Sequence, residues 1–539
     1  MVTRTGIVDG VRAFEAHLSP IFKAIFWLIF ALSVGQFAFF AFWMLDQPIV
    51  DLWGFRPAQT AISVQYILSE GAWLLSVVPV FGAPWTLPLE FPAYQWAVAV
   101  LAWVSALPID TSGRLISILF CGLCIFPIYS IAKATKLTNP RQITCLTVSF
   151  WLMSPVVIFW GRATLMETTV IFLSLMWLSF YVRFLSTKGV SNFVLCIAFG
   201  ALAATVKLTA FAGFVVAGLF YTIFYIWNNR ATITGHIAHL SLCFLTVLLS
   251  MASLLLWSHY TAEALATNPL SASIMLSNIP GWYFGSLADR LSPVLWDWVI
   301  RLRALPNMVG PLWVPIAIAA FVAGIATRNV TRLLAAVICF LTGYLIFPTL
   351  FTANIYYEIE NVIFLSAALA LAVHSLANNR HYFLASAFAV AITVSQGMAL
   401  YTGFYAPYLM YDLHDHPYYK AGLALKDSTP PDAAIIGFGM GWGADVPYYA
   451  ERRAVIVPNW APAATINTML FNERAAWLGG RTIGGVVDCT VFASQDIEPH
   501  LVPIRDRLVS EMSDKFVDII GSVTPGAPNA ARCRIYLPK

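Results

Sequence analysis

Residues 191–227 read SNFVLCIAFGALAATVKLTAFAGFVVAGLFYTIFYIW, and they decide the class of fold. Apart from Lys207, no side chain in this stretch carries a charge. A helix needs about 20 mostly apolar residues to cross roughly 30 Å of hydrocarbon. The stretch is therefore long enough for two membrane-spanning helices, 191–207 and 209–227, which meet at Lys207. A charged group at this depth is costly unless it has a partner or a function.

The composition of the whole chain agrees with this reading. Of the 539 residues, 59% are hydrophobic, 14% are aromatic and only 11% are charged. A soluble domain carries roughly 25% charged residues, so this chain cannot cover a water-facing surface of its size. That excludes a large soluble enzyme, a disordered scaffold and a disulfide-stapled secreted module. The net charge of +4 is too small to indicate a nucleic-acid partner. The composition predicts a polytopic α-helical membrane protein embedded in a lipid bilayer.

Working outward from 191–227, about eleven segments are apolar and long enough to span a membrane, with a plausible range of 10–13. They are 24–45, 114–132, 142–160, 165–182, 191–207, 209–227, 236–258, 310–327, 332–350, 360–377 and 382–403. The first segment is not followed by an Ala-x-Ala cleavage signal, which favours an uncleaved anchor. We therefore predict a short N-terminal segment, 1–23, followed by a transmembrane module over 24–403.

A shorter apolar run, YQWAVAVLAWVSAL at 94–107, decides the orientation. If this run does not cross the membrane, most loop lysines and arginines fall on one side, which the positive-inside rule assigns to the cytoplasm. These residues are Arg4, Arg12, Lys23, Lys133, Lys136, Arg141, Arg183, Lys188, Arg230, Arg328, Arg332 and Arg380. We therefore predict an interfacial helix in a first exterior loop at 46–113, a cytoplasmic N-terminus and an exterior C-terminus.

After residue 404 the charge density becomes ordinary, and short β-rich runs alternate with Gly and Pro. The runs are AAIIGF, RAVIVP, GGVVDCTVFA and CRIYLP, and a helix-like stretch covers 497–514. This pattern predicts a small exterior α/β domain over 404–539. Cys489 and Cys533 are its only cysteines, each on a strand-like run. In an oxidising compartment they can pair as a disulfide.

Polar residues collect where the predicted topology places the exterior ends of the helices. They are Arg162, Glu167, Lys207, Asn354, Tyr356, Tyr357, Glu358 and Glu360, joined by Arg56, Gln59 and Glu90 of the first loop. A single such residue often only anchors a helix end. As a set they predict a cavity at the boundary between membrane and exterior. There, Lys and Arg would hold a phosphate group. A carboxylate in an apolar mouth suits a general base.

A metal site is the second use that these carboxylates allow. Glu90 and Glu167 could coordinate a divalent cation, Mg²⁺ or Mn²⁺, that bridges the phosphates of a substrate. The residue types leave both uses open, base and metal ligand.

Six short motifs resemble the GT-C superfamily of glycosyltransferases. They are FRPAQTA (55–61), PWTLPLEFPAYQ (84–95), WGRATLMETT (160–169), TVKLTA (205–210), NIYYEIEN (354–361) and GWGADVPYYAERR (441–453). The superfamily includes protein mannosyltransferases and lipid A aminoarabinose transferases, and the motifs are most similar to a bacterial branch described as family 39-like. The resemblance runs through most of the chain, although each motif alone is weak.

The resemblance implies inverting transfer of a sugar from a polyprenyl-phosphate donor to an envelope lipid, glycan or protein. It places the reaction on the periplasmic face of the bacterial inner membrane, and it implies two juxtamembrane helices in the first exterior loop. Many relatives have Asp in the first-loop motif, where this chain has Gln59. We therefore predict Glu90 as the catalytic base, with Asp51 behind it.

The remaining predicted site residues divide into two groups. Those expected to bind the phosphate and the rest of the donor are Arg56, Arg162, Lys207, Tyr356 and Tyr357. Those expected to orient the substrate are Gln59, Glu167 and Asn354. In this mechanism the cations stabilise the departing phosphate, since electrostatic stabilisation commonly dominates catalysis.

Two other functions fit a membrane protein of this composition. A transporter or flippase for a lipid-linked or anionic substrate would also bury charges. However, transporters often show internal repeats and broken helices at the bilayer midplane, whereas here the polar residues lie at one face and no repeat is evident. A non-catalytic envelope scaffold would leave Arg162, Glu167 and Lys207 without a role.

Overall fold

The computed structural model describes residues 4–50, 55–229, 233–492, 496–523 and 531–539. Up to residue 266, the described chain is mainly a series of helices that pack side by side. These are α1 (Arg4–Phe42), α2 (Phe55–Glu70), α3 (Ala93–Ser105), α4 (Ile109–Leu123), α5 (Ile125–Ala134), α6 (Pro140–Leu152), α7 (Pro155–Trp160), α8 (Glu167–Thr187), α9 (Val190–Val206), α10 (Leu208–Asn229) and α11 (Ile233–Ala266).

The next part of the chain alternates short helices with long apolar ones. The helices are α12 (Pro269–Ser273), α13 (Pro280–Phe284), α14 (Leu287–Leu291), α15 (Leu305–Val309), α16 (Trp313–Ala326), α17 (Val330–Ile346), α18 (Pro348–Ala353), α19 (Glu358–Asn378), α20 (Tyr382–Thr402) and α21 (Tyr405–Leu409). A π-helix, Val294–Ala304, precedes α15, and a 3₁₀ turn, Ile355–Tyr357, precedes α19. Helices α8 and α19 are the most deeply buried of the long apolar helices, so they form the centre of the bundle.

Helices cover all eleven segments that the sequence predicts as spans. Among the helices of the described residues, seven are long and apolar enough to cross a membrane. The number is eight if the sharply bent pair Val294–Val309 and Trp313–Ala326 is one span. The other helices are shorter. For example, Pro155 starts α7 directly after α6 ends, because proline has no N–H to continue the helix. The number of crossings therefore stays a prediction.

The loop predicted to lie on the exterior, 46–113, contains two helices as the resemblance implies, α2 and α3. Between them, the segment 79–82 runs beside the exterior domain. Ala454 N donates to Pro79 O at 3.0 Å, Ile456 N donates to Val80 O at 2.6 Å, and Gly82 N donates to Ala454 O at 3.3 Å. These bonds cover what would otherwise be an open sheet edge. They also tie the loop to the C-terminal part of the chain.

That C-terminal part is an α/β domain built on a five-stranded sheet. Its elements are α22 (Pro417–Ser428), β1 (Ala434–Phe438), α23 (Asp445–Ala450), β2 (Arg453–Ile456), α24 (Ala463–Asn467), α25 (Arg474–Trp477), β3 (Ile483–Thr490), α26 (Val502–Ser510), β4 (Met512–Gly521) and β5 (Ala531–Pro538). The strand order is β2-β1-β3-β5-β4, with β1 parallel to β2 and β3, and β5 antiparallel to β3 and β4. All five residues of β1 are buried, so its apolar run forms the centre of this domain.

The four β-rich runs of the sequence are strands β1, β2, β3 and β5, and the predicted cysteine pair is confirmed. Cys489 and Cys533 face each other across the antiparallel pair β3–β5 and form a disulfide. The prediction of a helix over 497–514 is wrong at its end. Helix α26 stops at Ser510, and 512–521 form β4, because the apolar residues of that strand pair with β5.

Two tyrosines of the motif GWGADVPYYAERR dock the exterior domain on α4. Tyr448 Oη donates to one carboxylate oxygen of Asp110 at 2.5 Å, and Tyr449 Oη donates to the other at 2.8 Å. Arg453, at the end of the motif, pairs with Glu70 at the end of α2 at 2.7 Å. The motif therefore holds the exterior domain over the first loop.

Candidate active site

Lys207 lies in a one-residue break between α9 and α10, as the sequence predicts. Its backbone is extended, with φ −166° and ψ 103°, so α10 starts in a new direction. The side chain is only 8% exposed. A buried ammonium needs compensation from nearby groups, and the surrounding helix ends provide it.

Two carboxylates flank the ammonium group. Glu167 begins α8, and Glu360 lies in the first turn of α19. Lys207 Nζ forms an ion pair with Glu167 and lies 3.2 Å from Glu360 Oε1. Thr209 also donates to Glu360 Oε1, at 3.0 Å. Both carboxylates lie at helix N-termini, where the helix dipole favours negative charge.

This cluster of Lys207, Glu167 and Glu360 has two carboxyl groups for one ammonium group. Both carboxylates are almost fully buried, at 1% and 0% exposure. Within the described part of the chain, the Oε2 atoms of Glu167 and Glu360 have no hydrogen-bond partner. Unpaired acceptors in a buried site are costly, and they suit a ligand that brings hydrogen-bond donors, such as sugar hydroxyls.

Two aromatic rings cover the other side of the ammonium group. Lys207 Nζ lies 5.0 Å from the centroid of the Tyr356 ring and 4.3 Å from that of Tyr357. The two rings stack on each other with centroids 4.6 Å apart. These distances are within the range of cation–π attraction. The structure therefore brings Lys207, Glu167, Tyr356 and Tyr357 together, as predicted for one cavity.

A second pair of opposite charges lies in the first loop. Arg56, in the first turn of α2, forms an ion pair with Glu90, and the two side chains are 11% and 23% exposed. Arg56 Nη1 also donates to Gln59 Oε1 at 2.9 Å. All three side chains line one polar cavity, together with Thr60, Ser63, Ser76 and Gln95. Arg56, Glu90 and Gln59 therefore face one shared polar cavity, which is small, with a volume of about 20 Å³.

The two charge groups are close neighbours. Phe91, next to Glu90, donates its N–H to Thr205 O at 3.1 Å, two residues before Lys207. Burial disfavours the charged form of Arg56, but Glu90 and, more weakly, Tyr356, Tyr357 and Glu167 raise its pKa above the ordinary value. Arg56 is thus close enough to interact electrostatically with Glu90 of the first loop and with residues around Lys207.

Gln59 has a role that the sequence did not reveal. Its Nε2 donates to the backbone oxygen of Trp442, in the exterior domain, at 2.9 Å. The Trp442 ring stacks on Phe81 of the first loop with centroids 5.7 Å apart. A carboxylate could not make this bond, because it has no N–H. The amide therefore links Arg56 to the domain above it.

Three of the predicted residues lie elsewhere or outside the described chain. Arg162 donates to the backbone oxygens of Phe40, Trp43 and Met44 at 2.8, 2.9 and 3.1 Å, so it caps the C-terminal end of α1. Asn354 donates weakly to Leu350 O, at 3.5 Å, within its own turn. Asp51 is outside the described residues.

Sequence reasoning did not assign roles to several residues that contribute to the site. Arg303, in the π-helix Val294–Ala304, pairs with buried Glu358 at 2.7 Å. Tyr283 of α13 is within electrostatic reach of Glu90 and Arg56, and burial raises its pKa. In the exterior domain, burial raises the pKa of Asp445 to about 7. The available signal in the sequence was the pair Glu358 and Glu360 of the NIYYEIEN motif, since both lie in the first turn of the apolar helix α19.

The divalent cation that the sequence allows at Glu90 and Glu167 stays a prediction. Among the described residues, no group of three or more His, Cys, Asp or Glu side chains lies close enough together to hold an ion. Glu90 is paired with Arg56, and Glu167 with Lys207. We therefore derive no reaction step through a metal.

No protein-family model and no curated protein matches the chain, but solved structures do. ArnT from Cupriavidus metallidurans, bound to undecaprenyl phosphate, superposes with a TM-score of 0.58 at 14% identity over 99% of this chain and 98% of that one. The Archaeoglobus fulgidus oligosaccharyltransferase AglB, with an inhibitory peptide and a dolichol-phosphate, gives 0.52 at 11% identity over 87% and 69%. AftD arabinofuranosyltransferase from mycobacteria gives 0.52 at 16% over 95% and 39%.

All three similar structures are GT-C glycosyltransferases. The chain has the GT-C fold. The long apolar helices, the two helices of the first loop and the C-terminal sheet domain are the parts of this fold. It is a multi-pass membrane protein.

Proposed function

We propose that this protein is an inverting glycosyltransferase that moves a sugar from a polyprenyl-phosphate donor to an envelope acceptor. The acceptor is a lipid, a glycan or a protein, and the reaction takes place on the periplasmic face of the bacterial inner membrane. The GT-C fold supports this proposal, as do undecaprenyl phosphate and dolichol-phosphate in two of the similar structures. The observation that carries it is the pairing of Arg56 with Glu90 in a polar cavity of the first loop.

Arg56 is the residue that binds the donor phosphate in this proposal. Its planar guanidinium can bind a phosphate through two parallel hydrogen bonds, and it lines the cavity. A bound phosphate competes with Glu90 for the same cation. Binding of the donor therefore releases the Glu90 carboxylate beside the sugar, where it is needed.

Glu90 then acts as the general base. It removes the proton from the acceptor hydroxyl, and the oxygen forms a bond to C1 of the sugar. The bond between C1 and the phosphate oxygen breaks, and the electron pair leaves with the polyprenyl phosphate. Attack on the face opposite the phosphate inverts the configuration at C1. A positioned base of this kind contributes about 10²–10⁴-fold to a rate.

The cluster around Lys207 binds the sugar. The free Oε2 atoms of Glu167 and Glu360 accept hydrogen bonds from sugar hydroxyls, and the stacked rings of Tyr356 and Tyr357 form an adjacent wall. Lys207 is already neutralised by two carboxylates, so its main task here is to hold them in place. Direct contact between Lys207 and the phosphate stays a prediction of the sequence.

A divalent cation at Glu90 and Glu167 also stays a prediction. The mechanism above assigns the phosphate charge to Arg56, and hence it expects transfer to continue after chelation. Measurement of the transfer rate with and without EDTA, and with Mg²⁺ or Mn²⁺ restored, tests this point directly.

The decisive experiment identifies the substrate and the class of protein together. Mass spectrometry of envelope glycans and lipid-linked sugars in a deletion strain should show a missing sugar and accumulation of its polyprenyl-phosphate donor. Complementation with Glu90→Gln should fail. Glu70→Gln, which removes a carboxylate from the same loop on the side that pairs with Arg453, serves as the matched control and should complement.

Two results would contradict the proposal. Normal envelope sugars in the deletion strain would contradict the proposed reaction. Full complementation by Glu90→Gln would contradict the role of Glu90 as the base. If the sugar donor instead accumulates on the cytoplasmic side of vesicles, the protein is a transporter or flippase.

A further inference from the structure

A large apolar cavity lies inside the helix bundle, away from the charged cluster. Its volume is about 580 Å³, and the surrounding helices are α5, α6, α8, α10, α17 and α19. The lining includes Leu175, Leu178, Phe214, Phe220, Ile363 and Leu371. Binding pockets for small molecules measure about 300–1,000 Å³. The cavity therefore has room for a hydrocarbon chain.

The mouth of this cavity is polar and basic. Lys136 follows α5, Arg332 lies in the first turn of α17, and Tyr221 and Tyr225 lie in the last turns of α10. Both basic side chains are exposed, and no carboxylate is among the described residues that line the cavity. Cations and hydroxyls without a carboxylate are typical of a site for an anion such as a phosphate.

The mouth and the charged cluster lie at opposite ends of the same helices. On α10, Tyr225 is near the end of the helix, whereas Thr209 of the charged cluster is at its beginning. On α8, Glu167 of the charged cluster begins the helix, and Ser186 of the cavity lining lies near its other end. Lys136 and Arg332 belong to the residues that predict the cytoplasmic side, so the mouth faces the cytoplasmic leaflet in that orientation.

The depth of the cavity matches one leaflet of a membrane. From Tyr225 to Phe214, both in the lining, α10 rises roughly 16 Å at about 1.5 Å per residue. That is about half of the 30 Å hydrocarbon thickness of a bilayer. The rings of Phe214 and Phe364, with centroids 4.7 Å apart, close the inner end. An acyl chain of one leaflet fits this depth, and a much longer polyprenyl chain does not.

We propose that this cavity binds an anionic glycerophospholipid of the cytoplasmic leaflet. The phosphate lies between Lys136 and Arg332, with the tyrosine hydroxyls beside it, and one acyl chain enters between α8, α10 and α19. Phe364 lies one turn after Glu360 on α19, so the inner end of the chain packs beneath a helix that carries part of the charged cluster. The lipid thus supports the site from the opposite side of the membrane.

Native mass spectrometry of the full-length protein tests the proposal without any transfer assay. The protein is released from detergent after incubation with phosphatidylglycerol or with phosphatidylcholine of the same chain length. We expect phosphatidylglycerol to be retained at least tenfold more than phosphatidylcholine. The double variant Lys136→Ser/Arg332→Ser should lose this preference, and the substituted residues are exposed, so folding should be unaffected.

A matched control separates the cavity from general surface charge. The double variant Lys133→Ser/Arg328→Ser removes two exposed cations near the same end of the bundle that are not among the lining residues. It should retain the lipid as the wild type does. Ala336→Trp, which fills the cavity, should reduce retention of phosphatidylglycerol in protein whose thermal unfolding is unchanged.

Three outcomes would overturn the proposal. They are equal retention of the two lipids by the wild type, undiminished preference in Lys136→Ser/Arg332→Ser, and an equal loss in the control variant. Competition by glycerol phosphate distinguishes a lipid from its headgroup, since the headgroup alone should not displace the lipid. Each of these results is independent of whether the protein transfers a sugar.

Discussion

Arg162 and Lys207 are two buried cations that look alike in the sequence and differ in the structure. Both lie at breaks between apolar helices, and each is less than 10% exposed. Arg162 donates to three backbone oxygens at the end of α1. Lys207 contacts the carboxylates of Glu167 and Glu360. The three bonds described for Arg162 go to backbone oxygens, whereas Lys207 contacts ionisable side chains.

This difference separates a structural role from a functional one. The backbone oxygens at a helix end need donors whatever the protein does, so the fold accounts for these three bonds of Arg162. The carboxylates around Lys207 are not required by any helix, and each has a free oxygen among the described residues. A buried charge cluster with free acceptors is costly to keep, which indicates that a ligand uses it.

The largest expected effect is that of Lys207→Ala. The substitution leaves Glu167 and Glu360 buried without a cation, and breaking a buried pair in this way costs about 3–5 kcal/mol. We expect a strong fall in the unfolding temperature and the loss of sugar transfer. Thermal unfolding in detergent and the envelope assay measure the two effects separately.

A charge-free variant distinguishes these two effects. Lys207→Met combined with Glu167→Gln and Glu360→Gln removes every charge of the cluster, and it should regain most of the stability. Transfer should stay absent, because the acceptors for the sugar are changed. Recovery of transfer in this triple variant would show that the cluster is structural, like Arg162.

Arg162→Met should lower the stability but leave sugar transfer nearly intact, the opposite of the triple variant. It leaves the three backbone oxygens of α1 without their donor, and the cost is about 1–3 kcal/mol. Protein that remains folded should transfer sugar at close to the normal rate. A large loss of transfer with an unchanged unfolding temperature would instead support the role predicted from the sequence, in which Arg162 binds the donor phosphate.

The contrast also shows which parts of the structure can be predicted from the sequence. The apolar segments predicted the helices, and the runs AAIIGF and GGVVDCTVFA predicted strands, because a continuous apolar run leaves few alternatives. Strand β4 was missed since Asp514 and Lys515 interrupt its apolar pattern. Within the site, residue types suggested Lys207 and Glu167 correctly as neighbours. Arg162 and the Gln59 amide N–H donate to backbone oxygens, which every residue has, so no residue type identifies these acceptors.

Gln59→Glu should impair sugar transfer less than Lys207→Ala does. The new carboxylate would lose the bond to Trp442 O and would compete with the phosphate for Arg56. We expect the KM for the donor to rise about tenfold, equivalent to about 1.4 kcal/mol, with a smaller change in kcat. Gln65→Glu on the same helix is the control. An unchanged donor KM would mean that Arg56 does not bind the phosphate.

A third buried base, His416, extends the comparison to a group whose pKa is lowered by burial. It begins α22, where its Nδ1 accepts the N–H of Tyr418 at 3.2 Å, and burial lowers its pKa to about 3. The folded protein keeps this imidazole neutral, whereas the unfolded chain takes up a proton below about pH 6.5. Stability should therefore fall as the pH drops from 6.5 towards 3, by at most about 1.4 kcal/mol per pH unit.

The variant His416→Asn isolates this contribution, because asparagine can still cap the helix but does not titrate. Between pH 7 and pH 5, the unfolding temperature of the wild type should fall more than that of the variant. The buried Asp445, whose pKa is raised, favours folding as the pH falls below about 7 and is present in both proteins. The difference between the two curves therefore reports His416 alone. Parallel curves would mean that His416 is charged in the folded state and held by partners, as Lys207 and Arg162 are.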